Sequence, residues 1–290
     1  MPDYLPFHPQ PSAPGRPLPP LSCDSQFHVF GPRSQYPVRA GAAYEMPTAT
    51  IDVALRLHRT LGIERGVIVQ ATTYGADHQV VLDGLAAAGP NYRGCANAAV
   101  LLECDDAYLD RLHAAGVRGA RFTRQALGIV MTPADFQRAI ARIRELGWYA
   151  KFQPEPEGIM DQVSLFDSLD IPVLIDHMGR ADPARDGDDP TLRKLVELLG
   201  RGNFWVMLSL TEKLSRQGYP WDDVVPVAQA CIQAAPDRVV WGSDWPHPVS
   251  VKATPDEGRL VDQLFRYAGN DATLKQILVD NPATLFGFDR

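Results

Sequence analysis

The chain has 290 residues, a formal net charge of -7 and 45% hydrophobic residues. This length suits one large α/β barrel, and the acidic balance makes nucleic acid and anionic membrane surfaces poor partners. No apolar run approaches the ~20 residues that span a bilayer, and the N-terminus lacks the features of a signal peptide. Four cysteines without a CxxC pair are typical of a reducing compartment. We therefore expect a cytoplasmic protein with neither a membrane nor a nucleic-acid partner.

The first twenty residues are rich in proline, which favours an extended, polyproline-like arm. We expect this arm, residues 1–20, to precede a single domain that covers residues 21–290. After the arm, short apolar segments between turn residues predict eight strands. These are Ser22–Phe30, Gly66–Gln70, Gly94–Val100, Val117–Phe122, Tyr149–Gln153, Pro172–Asp176, Phe204–Leu208 and Arg238–Gly242.

Amphipathic segments between the strands predict helices. Among them are Ile51–Leu61, Ala107–Ala115, Pro133–Leu146 and Trp221–Ala235. Thr132 before Pro133 is typical of a helix start, and Gly62, Gly116 and Gly147 stand where helices should end. Eight such units without a break in composition predict a single (β/α)₈ TIM barrel. An open doubly wound sheet is the weaker alternative, because no GxGxxG follows a strand.

The active site of such a barrel lies at the carboxyl ends of its strands. The first predicted strand contains Gln26 and His28, which share one face because they are two residues apart. The sixth ends in Asp176 and His177. A lone strand histidine is more often structural than catalytic, so neither motif is decisive by itself. The coincidence of polar strand ends at one barrel mouth favours a functional site.

Asp244 follows the eighth predicted strand. It lies between two tryptophans and before a turn that contains proline. A carboxylate in this position is suited to act as a general base, and we expect burial to raise its pKa toward the operating pH. The alternative is a turn aspartate that accepts backbone N–H groups. His58 and His113 lie in predicted helices and are expected to be surface or packing residues. Lys151 is expected to point inward, where it either pairs with a carboxylate or takes part in catalysis.

Several motifs resemble the amidohydrolase-superfamily group that contains pyrone dicarboxylate lactonase: DSQFHVFGP, VIVQATTYGAD, GVRGARF, IDHMGR, WGSDWPHP and DNPATLF. The resemblance covers the chain from about Leu21 to the C-terminus. It implies an amidohydrolase-like barrel in which Asp244 activates water without a metal, while His28 and His177 polarise a lactone carbonyl. This division suits ester hydrolysis, which needs a deprotonated water on one side of the carbonyl and donors to the oxyanion on the other.

The resemblance also implies a set of contacts to a small anionic lactone: Tyr44, Thr72, Thr73, Arg121, Arg124, Gln153, Arg180, Lys213 and His247. Lys213 stands where the lactonase has an arginine, and Gln153 where it has a tyrosine. Lysine offers a point charge rather than a fork, so we expect a less heavily carboxylated substrate than the pyrone diacid. For any single cation, a surface ion pair is the alternative interpretation.

Gln26 departs from the HxH pattern of the family. Glutamine is a poor ligand for a zinc-type ion, so we predict no metal and no other cofactor; the amide could instead donate to a carbonyl oxygen. A metal held by His28, His177 and Asp244 remains the alternative. Gln-x-His also resembles galactarolactone isomerase, in which an amide replaces the carboxylate of the eighth strand. Retention of Asp244 favours hydrolysis.

The sequence thus predicts a metal-independent lactonase. A metal-dependent decarboxylase or hydrolase of the same superfamily, a lactone isomerase and a non-catalytic barrel remain as alternatives. The sequence leaves open which lactone is bound, and whether the chain is a monomer or a small homo-oligomer.

Overall fold

The computed structural model describes residues 4–123, 131–185, 187–251 and 253–289. Eight parallel strands form one sheet in the order β1 to β8, so each strand is hydrogen bonded to the next along the chain. The strands are Cys23–Phe27 (β1), Arg65–Val69 (β2), Tyr92–Asn97 (β3), Val117–Phe122 (β4), Tyr149–Phe152 (β5), Val173–Ile175 (β6), Phe204–Leu208 (β7) and Val239–Trp241 (β8). The predicted (β/α)₈ barrel is confirmed.

The barrel closes where the chain beyond β8 meets β1. The backbone N–H of His28 donates to the carbonyl of Trp245 at 2.7 Å, and that of Asp244 donates to the carbonyl of Gln26 at 2.9 Å. Gly242 is required at this seam, because an added Cβ would lie 2.8 Å from the Cβ of Gln26. Closure therefore brings Gln26, His28 and Asp244 together at the carboxyl ends of the strands.

Helices surround the sheet: Ile51–Leu61 (α1), Gln79–Ala88 (α2), Val100–Glu103 (α3), Asp106–Ala114 (α4), Pro133–Leu146 (α5), Val163–Phe166 (α6), Pro190–Leu199 (α7), Thr211–Leu214 (α8), Val225–Ala234 (α9), Glu257–Ala268 (α10), Asp271–Lys275 (α11) and Asn281–Phe286 (α12). Helices α1 and α5 have the predicted bounds. A capping box between Thr132 and Asp135 begins α5, and Gly147 ends it in the left-handed conformation. Within the described ranges, no helix is both long and apolar enough to cross a bilayer.

Three predicted boundaries were wrong by three residues or more, while the others differ by at most two. Strand β1 ends at Phe27, because the next residue already bonds to the loop after β8. Strand β3 ends at Asn97, whose side-chain oxygen accepts from the N–H of Ala99 and turns the chain toward α3. Helix α9 begins only at Val225, because Trp221 is left-handed and a short 3₁₀ turn follows it.

Apolar side chains fill the barrel from the inside. The inward-facing set consists of Cys23, Val67, Val69, Cys95, Tyr149, Leu174, Trp205, Met207 and Val240. At the amino ends of the strands, Phe286 and Phe288 join this cluster, and the ring of Phe286 lies 5.3 Å from that of Tyr149. This end of the barrel is therefore packed with hydrocarbon, and the polar side chains collect at the other end.

The proline-rich arm lies against the loop that follows β8. The N–H of Leu5 donates to the carbonyl of Ser250 at 3.0 Å, and the ring of Phe7 lies 5.0 Å from that of Trp245. Further along the arm, the N–H of Gly15 donates to the Asp262 carboxylate on α10 at 2.7 Å. The arm thus contacts the barrel from the neighbourhood of the site to the outer helices.

Candidate active site

A cavity of about 290 Å³ opens at the carboxyl ends of the strands. It is lined by His28, Tyr44, Thr72, Arg121, Gln153, His177, Arg180, Leu210, Lys213, Asp244, Pro248 and Val249. Most of the predicted site residues are thus brought together in one place. The lining combines a carboxylate, two imidazoles and three cationic side chains, which is the composition expected of a site for an anionic substrate.

Two cavities of more than twice this volume lack this chemistry. One, of about 800 Å³, lies at the opposite end of the barrel beside Trp205 and Ala283. The other, of about 640 Å³, lies beside Phe122 and Phe136 and shares only Arg121 with the 290 Å³ cavity. Neither lining combines a histidine with a carboxylate. The smaller cavity is therefore the candidate active site.

Asp244 is held at the barrel seam by two side chains from the first strand and its extension. The Gln26 amide donates to Oδ1 of Asp244 at 2.8 Å, and Nε2 of His28 lies 3.3 Å from the same oxygen. Asp244 is buried and has a left-handed backbone, with φ of 60°. The predicted amide of Gln26 is thus engaged with the carboxylate and does not line the cavity.

The pKa of Asp244 lies well below its usual range. Burial by itself raises this pKa, but the hydrogen bond from His28 and electrostatic interactions with His177, His28 and Lys213 lower it by more. The predicted rise toward neutral pH was therefore wrong, because groups brought from distant parts of the chain outweigh desolvation. Asp244 is ionised at neutral pH.

His28 faces two oxygens. Its Nδ1 lies 2.8 Å from the backbone carbonyl of Val69. A carbonyl oxygen only accepts, so Nδ1 carries a hydrogen. The contact between Nε2 and Asp244 is then a hydrogen bond only when Nε2 carries a hydrogen as well. His28 therefore adjoins Asp244 at the wall of the cavity, where a hydrogen on Nε2 would point at the carboxylate.

His177 has the opposite character. Its Nε2 accepts a long hydrogen bond of 3.4 Å from Nη2 of Arg121, because a guanidinium only donates. Its Nδ1 therefore carries the hydrogen and donates to Oγ of Ser209 at 2.8 Å. Burial lowers the pKa of His177 to about 4, in accord with a neutral ring. In this tautomer, Nε2 is an acceptor and not the donor to a carbonyl that the resemblance implies.

Arg121, Lys151 and Asp176 form a buried ion cluster, here called the Asp176 cluster. Nε and Nη2 of Arg121 both lie 2.8 Å from one oxygen of Asp176, and Nζ of Lys151 lies 3.0 Å from the other. Burial raises the pKa of Asp176, but the two cations and His177 outweigh burial and lower it. Of the two interpretations of Lys151, carboxylate pairing is the one observed.

His247, Glu212 and Glu257 form a second buried ion cluster, here called the His247 cluster. Nδ1 of His247 lies 3.4 Å from Glu212, and Nε2 lies 3.3 Å from Glu257. Burial lowers the pKa of His247, but the two carboxylates raise it to about 9. The predicted substrate contact of His247 does not fit this position, because the fully buried ring lies outside the cavity lining and both its nitrogens face glutamates.

The remaining predicted contacts fall into three groups. Thr72 lines the cavity and donates to the hydroxyl of Tyr44 at 3.1 Å. Thr73 is buried outside the lining and donates to the Tyr44 carbonyl at 2.6 Å, so it supports Tyr44 from behind. Lys213 lines the cavity and donates to the carbonyl of Pro248 at 3.0 Å. Gln153 and Arg180 also line the cavity. Arg124 lies outside the described residues.

Sequence reasoning missed Ser209, Glu212 and Glu257. Ser209 directly follows β7 and Glu212 lies in the short helix after it, so the strand-end rule applied to the first, sixth and eighth strands would have pointed to this region. Glu257 begins α10, far from any strand end, and offered no such signal. His58 is a packing residue as predicted, since it lies buried beside Asp24 and Tyr92.

The described residues offer no preformed set of metal ligands of the usual kinds. Across the residues with described placement, no three histidine, cysteine, aspartate or glutamate side chains are arranged to hold one. Gln26 occupies the position from which a second first-strand imidazole would reach Asp244, and its amide nitrogen already donates to that carboxylate. An amide nitrogen in this orientation offers no ligand lone pair.

The fold and the site define a (β/α)₈ barrel with an acid–base centre at the mouth, in the manner of amidohydrolases. The Amidohydrolase family model matches residues 23–288, and the chain belongs to this family. A 4-sulfomuconolactone hydrolase of Hydrogenophaga intermedia is 35% identical over 93% of this chain and 90% of its own. A 2-pyrone-4,6-dicarboxylate hydrolase of Comamonas testosteroni is 35% identical over 98% and 96%. A solved structure from Agrobacterium tumefaciens, 26% identical, has a TM-score of 0.82 over 95% and 99%.

Proposed function

We propose that the protein hydrolyses a small anionic lactone to an open-chain acid without a bound metal. The observation that carries the proposal is an ionised, buried carboxylate, Asp244, that faces three cationic side chains in a cavity of about 290 Å³. Two relatives that are 35% identical are named as hydrolases of 4-sulfomuconolactone and 2-pyrone-4,6-dicarboxylate, both of them lactones. These names support the reaction class.

Asp244 is the general base in this proposal. Gln26 and His28 both contact Oδ1, so Oδ2 is the oxygen assigned to the attacking water. As the water oxygen bonds to the lactone carbonyl carbon, one water proton moves to Asp244. The ring C–O bond then breaks, and the departing ring oxygen takes that proton. The net change is the addition of one water to one ester bond, and Asp244 ends as a carboxylate again.

The developing oxyanion needs donors on the side opposite the water. We assign this role to the His28 ring and the Arg121 guanidinium, because both line the cavity. His177 keeps a different role, since its Nε2 accepts from Arg121 and so orients that guanidinium. This differs from the assignment that the family resemblance implies, in which His177 polarises the carbonyl itself.

The substrate in this proposal is a single ring with one or two small anionic groups. A volume of about 290 Å³ lies at the lower end of the range for small-molecule sites. Arg180 and Lys213 also line the cavity and are the cations available to such groups. Lactones of the pyrone dicarboxylate, muconolactone and sugar-acid classes fit these requirements, and the products are hydroxy or oxo acids.

The experiment is a panel of carboxylated and sulfonated lactones, followed by proton release in weak buffer. We expect turnover by the wild type, and a kcat lower by about 10³-fold or more in Asp244→Asn, because the base is lost while the volume is kept. Asp52→Asn, an exposed aspartate on α1, is the matched control and should retain full activity. Near-normal turnover by Asp244→Asn would overturn the assignment.

Two measurements separate the alternative functions. Exhaustive chelation should leave the activity unchanged, whereas a metal-dependent decarboxylase or hydrolase would lose it. NMR of the product in ¹⁸O-labelled water should reveal an open-chain acid with one labelled carboxyl oxygen. A rearranged ring without label would instead identify a lactone isomerase.

A further inference from the structure

We propose that the His247 cluster is a positioning device, which fixes Lys213 and Asp244 relative to each other so that the anionic group of the substrate and its ester meet the right side chains. This proposal rests on the proposed function of the same cavity, and it assigns His247, Glu212 and Glu257 a role without substrate contact. The three residues come from three different elements: the loop after β8, helix α8 after β7, and the first turn of α10.

Direct substrate contact is excluded for this cluster by its burial. His247 and Glu257 are both 0% exposed, and none of the three side chains lines the cavity. Both ring nitrogens of His247 already face carboxylate oxygens, at 3.4 and 3.3 Å. Any effect of the cluster on a bound molecule must therefore pass through other residues.

The first such residue is Asp244. The backbone N–H of His247 donates to the carbonyl of Asp244 at 2.7 Å and closes a tight turn. Asp244, His247 and Val249 all have left-handed backbones, with φ of 60°, 61° and 59°. Residues with a Cβ adopt this conformation only when the surroundings hold them there. The carboxylates of Glu212 and Glu257 contact the His247 ring from outside the turn and so help to hold its backbone in this conformation.

The second residue is Lys213, the neighbour of Glu212 on α8. Nζ of Lys213 donates to the carbonyl of Pro248 at 3.0 Å, and both residues line the cavity. The loops after β7 and β8 are thus joined twice, once by Lys213 in the cavity wall and once by the His247 cluster behind it. If the His247 cluster is disrupted, the hydrogen bond between Lys213 and Pro248 is the remaining one of these two links between the loops.

The cluster also retains polar atoms that a purely structural core would not need. In the described part of the chain, Oε2 of Glu257 is buried without a hydrogen-bond partner. Replacement of such a group by well-packed hydrocarbon often costs a fold nothing. Its presence directly behind two cavity residues points to a requirement of the site.

The test is a double-mutant cycle between Glu257→Gln and Lys213→Met. Glu257→Gln keeps the side-chain volume at this position of α10, outside the cavity lining, and removes the carboxylate that faces Nε2 of His247. We expect KM for the lactone to rise about tenfold with a smaller change in kcat, because Lys213 is displaced. In the Lys213→Met background, Glu257→Gln should add little, since both changes act through one contact. Glu197→Gln on α7 is the matched control.

Binding of pyridine-2,4-dicarboxylate, an aromatic diacid without an ester, is measured in parallel by calorimetry. Its Kd reports the positioning of Lys213 without turnover, so a wrong reaction class and a wrong positioning role give different results. A Kd about tenfold weaker in Glu257→Gln supports the proposal. With both variants well folded by circular dichroism, a Kd within twofold of the wild type would overturn the proposal. Fully additive effects of Glu257→Gln and Lys213→Met on KM would overturn it as well.

Discussion

The Asp176 cluster and the His247 cluster lie on two sides of the same cavity and have opposite compositions. In the first, one carboxylate is shared by two cations, and one of these cations, Arg121, lines the cavity. In the second, one imidazolium is shared by two carboxylates, and none of the three side chains lines the cavity. Buried charge alone therefore does not identify a substrate contact. What distinguishes the two clusters is whether a member reaches the cavity surface.

The comparison also explains why His247 was assigned wrongly to the substrate. Its motif position resembles that of a contact residue, but two glutamates from other elements enclose its ring. Arg121, by contrast, keeps a cavity face although Asp176 holds two of its nitrogens. A residue whose motif position implies substrate contact can thus lie either in the cavity lining, like Arg121, or behind it, like His247.

The largest expected effect comes from breaking the Asp176 cluster. Asp176→Asn leaves Lys151 and Arg121 buried together without their carboxylate, and we expect it to lower the free energy of unfolding by about 3–5 kcal/mol. Urea denaturation measures this loss. The double variant Lys151→Met/Asp176→Asn should recover part of the stability, since one uncompensated charge is removed. A loss in the single variant below about 1 kcal/mol would contradict a tightly coupled cluster.

The next effect separates the two clusters by pH. The folded pKa of His247, about 9, exceeds the ordinary histidine value of 6.5, so its contribution to stability is complete below pH 6.5 and is lost as the pH rises through 9. The folded pKa of Asp176 is lowered, so its contribution is present in neutral solution and is lost as the pH falls. Glu212, Glu257 and the nearby Lys213 are the charged groups that face or adjoin His247.

We therefore expect the free energy of unfolding to decrease between pH 6.5 and 9 by up to about 1 kcal/mol per pH unit from His247. Chemical denaturation across this range measures the slope. His247→Gln should flatten it, while His113→Gln, a half-buried histidine outside both clusters, should not. An equal slope in wild type and His247→Gln would rule out the imidazolium.

The smallest expected effect concerns Lys213, the cavity cation next to the His247 cluster. Lys213→Met should raise KM for the lactone about tenfold and leave kcat nearly unchanged, because a point charge on a non-reacting group binds ground state and transition state alike. Steady-state kinetics with Lys194→Met as the control tests this. An equal fall in kcat and kcat/KM would instead assign Lys213 to the transition state.

The fold could be predicted from the sequence because its signals are local. Apolar runs marked the eight strands, and the cap at Thr132 with the stop at Gly147 gave α5 its bounds. The membership of the site followed for the same reason, since the carboxyl ends of parallel strands meet at one mouth. Gln26, His28, His177 and Asp244 were therefore expected at one mouth, and the structure places all four at or beside the cavity.

The state of each group could not be predicted, because it depends on partners far apart in the chain. The lowered pKa of Asp244 reflects His28 and Lys213, and the tautomer of His177 reflects Arg121. The burial of His247 reflects Glu257 on the last long helix. The rule that active sites lie at strand ends places side chains at the barrel mouth, but it does not predict which of them contact each other.

The glycine at the barrel seam has a consequence for any effort to redesign the enzyme. No side chain fits at position 242 without displacing Gln26, which carries the amide that holds Asp244. Libraries that seek new substrates should therefore return glycine alone at this position, although it touches no ligand. Variation is better introduced at Leu210 and Val249, which line the cavity and have no hydrogen bond to the base.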